Sequence, residues 1–290
     1  MQEASILNTE KNLPATGSAI ISSSGGKEAF LLHLADNALI VSQRNSEWCG
    51  HGPILEQDIA ITNISLDLLG QARNFYQYSA ILINKKSYNL LGTKASPLEG
   101  DLEGASEDGL AYLRTEREFK NCLLVEQPNG DWAQTILRQF FFTTYQFYLY
   151  QQLQNSKDEQ LAAIATKALK EVTYHLRWSS EWVIRLGDGT AESHERMLNA
   201  IDELWNYTGE LFEAAGYEFP LIAEGIAADL LFIKDKWQAK IEEIFMEATL
   251  PLPVNTFMHL GGKEGLHTEH LGYILAELQY MQRSYPGSEW

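Results

Sequence analysis

The stretch from Trp132 to Leu149 carries Ile136, Leu137, Phe140, Phe141, Phe142, Tyr145, Phe147 and Tyr148, so apolar side chains surround any helix it forms. A helix with no polar side must be enclosed by other elements. That constrains the chain to a bundle with this segment near its middle. A second segment, 54–84, has two apolar ridges, Ile61-Ile64-Leu68-Phe75 and Leu55-Ile59-Leu66, and therefore packs on two sides. Short β-branched runs of period two are missing, which argues against sheet. Helices are expected at 28–47, 54–84, 106–124, 130–155, 158–186, 191–215, 228–248 and 266–284. Gly50-His51-Gly52-Pro53, Pro128-Asn129-Gly130, Gly187-Asp188-Gly189 and the prolines 251 and 253 punctuate them. The expected fold is all-α, a long ferritin-like bundle with additional C-terminal helices, forming one domain over 28–290. Residues 1–27 read as a disordered leader, and 85–105 as a loop insertion rich in glycine and acids.

The 39 Asp and Glu against 22 Lys and Arg leave a formal charge of −17. Such a surface repels phosphate, which argues against nucleic acid and against anionic lipid. No apolar run is long enough to span a bilayer, and the N-terminal stretch lacks the apolar core of a secretory signal. Two cysteines, Cys49 and Cys122, are too few for a disulfide framework and fit a reducing, cytoplasmic setting.

Long bundles often enclose two metals, held by a Glu from each of two helices and a Glu-x-x-His from each of two others. Residues three apart share a helix face, so carboxylate and imidazole converge on the ions. This chain supplies that recipe incompletely. The second segment offers Asp67 with Gly70 at the histidine position, and the fifth offers Glu171 with Tyr174 there and His175 one step on. The fourth contains no acid between Trp132 and Lys157, and the first offers Asp36 alone. Asp67 and Glu171 are the acids that remain, with Arg138 or Lys170 as candidate replacements for the metals' positive charge. The opposed reading gives these residues unrelated hydrogen bonds.

The segment Gly261-Gly262-Lys263-Glu264-Gly265-Leu266-His267-Thr268-Glu269-His270 admits three readings: structural or interface, a small metal site through His267 and His270, and an anion loop around Lys263. The structural reading carries the most weight, because glycines flank the first acid and the phosphate-loop spacing is absent. Glu47-Trp48-Cys49-Gly50-His51 is expected to be a packed corner rather than a thiol–imidazole pair. His33, His194 and His259 are isolated and expected to pack or face solvent. Phosphate-loop, Rossmann and Gly-x-Ser-x-Gly motifs are absent.

Four strings, SQRNSEWCGHGPILEQDIAITNISLDLLGQARNF from Ser42, LLVEQPNGDWA from Leu123, RLGDGT from Arg185 and GGKEGLHTEHLG from Gly261, together resemble the non-catalytic ferritin-like subunits of bacterial phenylacetyl-CoA 1,2-epoxidases. The resemblance covers 28–290. It implies a chain with no cofactor of its own, paired with a sister subunit that carries a di-iron centre and binds the thioester. A reductase component would bring electrons from NADPH, and the complex would epoxidise the ring of phenylacetyl-CoA. Two rival readings remain: an active di-metal oxygenase with unorthodox ligands, and a stand-alone helical interaction protein.

Overall fold

The computed structural model describes residues 23–91, 104–254, 256–286 and 288. The described residues form helices and no strands, in keeping with the sequence pattern. Four long helices make the bundle: α1 (Ser23–Ser46), α2 (Leu55–Leu91), α5 (Trp132–Leu153) and α6 (Glu159–Gly187). Between them lie two short helices, α3 (Glu107–Tyr112) and α4 (Leu123–Glu126). Beyond them follow α7 (Ala191–Leu204), α8 (Glu218–Glu224), α9 (Leu230–Glu247), α10 (Glu269–Leu278) and α11 (Tyr280–Ser284). α1 packs along α2 and α5 along α6, while α7 and α9 cover α5 from outside. The bundle and its cover share one continuous core.

The helix starts follow capping chemistry. Asp131 accepts from Gln134 N–H to open α5, Asp158 from Leu161 N–H to open α6, and Asp229 from Leu231 and Phe232 N–H to open α9. Thr190 and Ser193 form a capping box at α7. α5 is as enclosed as its composition requires: Phe140, Phe141 and Phe142 are buried, and Phe141 lies among Trp205, Trp237 and Phe245.

Several boundaries differ from those expected. α1 begins at Ser23, inside the expected leader, whose residues 1–22 lie outside the described part. α2 runs to Leu91, into the expected loop insertion, of which 92–103 lie outside it. The single helix expected at 106–124 breaks into α3, a 3₁₀ turn at Glu116–Glu118 and α4. Three backbone N–H groups explain the break, because side chains from elsewhere capture them. Lys120 N–H donates to Asp36, Cys122 N–H to Asn37 and Leu123 N–H to Glu210, so none is left for helix. The helix expected at 191–215 ends at Leu204 and continues as 3₁₀ turns, and that expected at 266–284 divides into α10 and α11. α8 falls where no helix is expected. It holds Pro220 in its first turn, where the missing N–H costs no intrahelical bond.

Candidate functional site

The polar positions of α2 and α6 face one another across a seam. His175 is fully buried, and its Nε2 donates to Asp67 Oδ2 at 2.9 Å. One turn further along, Gln71 Nε2 donates to Glu171 Oε2 at 3.0 Å. From α5, the Tyr150 hydroxyl donates to Gln71 Oε1 at 3.3 Å, and Gln146 Nε2 donates to that hydroxyl at 3.3 Å. At the other end of the seam Trp178 Nε1 donates to Gln57 Oε1 at 3.0 Å. Asp67 and Glu171 are half-buried rather than enclosed, although Glu171 shares a helix stripe with Ile164, Ala168, His175, Trp178 and Trp182 and would be expected to be buried. The seam brings together Asp67, Glu171 and His175, with Gln71 as a partner that the sequence does not single out.

The other candidates lie elsewhere. Asp36 is buried and belongs to a separate cluster. It accepts from Tyr76 Oη at 2.6 Å, from Lys120 N–H at 2.8 Å and from both terminal nitrogens of Arg114. Gly70, Lys170 and Tyr174 are exposed. Arg138 is fully buried but meets no carboxylate through its guanidinium. It donates to Gln127 O at 2.7 Å, to Asn129 Oδ1 at 2.6 Å and to Asn45 Oδ1 at 3.4 Å, so it pins the turn before α5. Burial, with the charge of Arg44, pushes its guanidinium down to about 9. The expectation that Arg138 or Lys170 balances Asp67 and Glu171 is therefore corrected: His175 and Gln71 hold those acids.

The glycine-rich C-terminal segment does hold an anion on its backbone, and that anion is the chain's own Glu210. Its carboxylate accepts from Gly261 N–H at 2.8 Å, Lys263 N–H at 3.3 Å and Leu123 N–H at 2.7 Å. Burial nevertheless pushes the Glu210 carboxyl above its usual range. The Lys263 ammonium is buried and donates to Glu218 Oε2 at 3.1 Å and Glu213 O at 2.8 Å. His267 Nδ1 lies 2.9 Å from Glu126 Oε2, which also accepts from Asn121 Nδ2, while the other oxygen accepts from Thr268 N–H and Oγ1. The glycines are sterically required. A Cβ on Gly262 would sit 2.3 Å from Asn121 O, and Gly265 has φ +80 with Arg117 O 2.4 Å from where its Cβ would be. Lys263 and His267 are thus internal clasp residues, and His270, partly buried, lies at the start of α10 outside that network. The Gly261 and Lys263 backbone N–H groups and the Lys263 and His267 side chains all bond groups of this same chain.

Among the described residues no three His, Cys, Asp or Glu side chains gather as a metal site requires. The seam therefore does not match the ligand set of a carboxylate di-metal centre. Cys49 is exposed, and the His51 ring faces its carbonyl oxygen, 3.1 Å away. Trp48 packs edge-on against Trp132 at 5.1 Å and donates to Thr135, making the expected corner. His33 bonds Lys120 O, His194 bonds Gly187 O and His259 stacks on Tyr207. A cleft of about 810 Å³ opens near the start of α6, but its Lys27 and Tyr78 are both engaged by Asp158. No helix of the described residues is long and apolar enough to cross a membrane.

Comparison with known proteins gives this arrangement its family. The phenylacetic acid catabolic protein family matches residues 18–290. The chain belongs to that family. It is also 49% identical over 262 residues to one of the subunits of the 1,2-phenylacetyl-CoA epoxidase of Escherichia coli strain K12, covering 90% of this chain and 98% of that protein. Within this family member, the strings that carry the resemblance build tertiary contacts. The string from Ser42 contributes Asp67 and Gln71 to the seam, and those from Leu123 and Gly261 meet in the clasp through Glu126 and His267.

Proposed function

We propose that this chain is a structural, metal-free subunit of a multicomponent monooxygenase that epoxidises the aromatic ring of phenylacetyl-CoA. The observation that carries the proposal is the near full-length similarity to a subunit of a 1,2-phenylacetyl-CoA epoxidase. The seam supports it: the acids that a di-metal bundle would use as ligands are here bonded to His175 and Gln71. In this reading a sister ferritin-like subunit holds the di-iron centre, which supplies oxygen activation there, and a reductase component brings electrons from NADPH. This chain contributes a rigid bundle. α5 is locked by its aromatic surroundings and α2 is tied to α6 by the polar seam, so its surface is preorganised to hold a partner with little loss of entropy.

The test is to express the chain in iron-rich medium, alone and with the sister subunit from the same source, and to measure bound metal and complex formation. Well below one metal per chain, with a stable complex that is active once reductase is added, is the expected result. Two irons per chain, lost on Asp67→Asn or Glu171→Gln, would establish the di-metal oxygenase reading instead. No stable complex would favour a stand-alone interaction protein.

A further inference from the structure

α2 has one face too many. Its inner face is fully occupied: Ile61, Ile64, Leu68, Ala72 and Phe75 are each at most 1% exposed. Asp67 and Gln71 on its flank turn to α6. On the side opposite the core, Leu55 is 71%, Ile59 51%, Leu66 61% and Leu69 43% exposed, with Ile54 beside them at 52%. Spacings of four, seven and three residues place these leucines and isoleucine in one narrow sector. Thr62 and Gly70 are the smaller residues of the same sector, so the stripe is low and its Cβ surface open. Between Leu55 and Gly70 this sector contains no charged side chain, and the stripe runs for about 20 Å at 1.5 Å per residue. Arg73, ion-paired to Glu107, closes its far end.

An uncharged apolar stripe on a chain of net charge −17 is an anomaly that solvent alone does not explain. We infer that this face of α2 is where the chain docks on its sister bundle, apolar helix face against apolar helix face. The inference rests on the proposed role as a subunit and says which surface serves it. Two observations select that occupant. The five side chains, each 43–71% exposed, form one contiguous apolar patch of the kind, on the order of a few hundred Å², that marks an interaction site. A second copy of this chain would bring another charge of −17 to the same contact, so a partner of less acidic surface fits better. Docking there also leaves the polar seam and the clasp intact, because their hydrogen bonds come from side chains outside the stripe.

The experiment compares Leu66→Asp/Leu69→Asp with Met246→Asp, a control at an α9 side chain that is 79% exposed. Each full-length chain is titrated against the di-iron subunit from the same source, with circular dichroism and thermal midpoint as controls for folding. The double variant is expected to keep the wild-type midpoint within a few degrees and to lose at least a hundredfold in affinity. Met246→Asp is expected to bind within threefold of wild type. Leu55→Asp, at the other end of the stripe, provides an independent variant should the first not fold. Unchanged affinity in folded stripe variants overturns the docking site while leaving the subunit role intact. A wild-type chain that forms a homodimer dissociated by these substitutions, with partner binding preserved, also overturns it. A wild-type chain that does not bind the di-iron subunit removes the subunit role itself, and this inference with it.

Discussion

Two polar regions of this molecule use the same residue types under different degrees of enclosure. In the α2–α6 seam, an Asp–His pair and a Gln–Glu pair link two helices, and both acids keep part of their surface in water. In the enclosed regions the acids are buried and multiply bonded: Asp36 by Arg114, Tyr76 and a backbone N–H, Glu210 by three backbone N–H groups, and Glu126 by His267, Thr268 and Asn121. A buried charge must be offset locally by hydrogen bonds, whereas a half-exposed one can rely on solvent. The enclosed acids therefore hold tertiary structure, and the seam acids are the ones free to be exchanged.

Arg114→Met should separate the regions most sharply. It leaves Asp36 buried without its cation and is expected to cost about 3–5 kcal/mol, read as a shift in the urea unfolding midpoint. Replacing a seam acid should not approach this.

The pH dependence comes next. Burial and the charge of Lys263 push His33 down to about 4, from an ordinary 6.5. The unfolded chain then takes up a proton that the folded chain refuses. Stability should fall by roughly 3 kcal/mol as pH drops from about 6.5 to 4, and His33→Gln should flatten that limb of a pH-dependent unfolding series. His267 works in the opposite sense. Burial opposes its charge, but the hydrogen bond and negative charge of Glu126 more than offset this, so its proton is bound more tightly in the folded chain. Its contribution is complete below the unfolded value of 6.5 and disappears as pH rises through the higher folded value. His267→Gln should reduce the alkaline decline while leaving the acid limb intact. Equal limbs in both variants would show that the enclosed histidines are not the source of the pH response.

The smallest effect should belong to the seam. Glu171→Gln retains an acceptor for Gln71 and is expected to change stability by less than about 1 kcal/mol. A loss comparable with that of Arg114→Met would mean that the seam is enclosed in solution, and the comparison would fail.

Much of the architecture is legible in the sequence because helical periodicity is a local property. The surrounded helix α5, the inner ridge of α2 and the capped starts of α6 and α7 follow from residues close together in the chain. The expected packing of the second α2 ridge, Leu55-Ile59-Leu66, is corrected, because those side chains are exposed. The pairing of Asp67 with His175 is partly legible, since Asp67 stands at a ligand position and His175 one step past one, but Gln71 is not. An amide carries no chemical signature until its neighbour is known. Arg138 misleads for the same reason, because the turn carbonyl of Gln127 and the amide of Asn129 lie close in sequence yet only folding aims them at its guanidinium.

By itself, the sequence determined an all-helical bundle, the incompleteness of a Glu-x-x-His ligand pattern and the motifs that lead to the family. The tertiary structure decided where the acids went. It broke the segment after α3 by capturing its N–H groups with Asp36, Asn37 and Glu210, and it turned a glycine-rich run into a receptor for an internal carboxylate. It also left one apolar face of α2 without a neighbour among the described residues. Periodicity specifies which faces of a helix are apolar, but only the placement of the other helices settles which of those faces is covered.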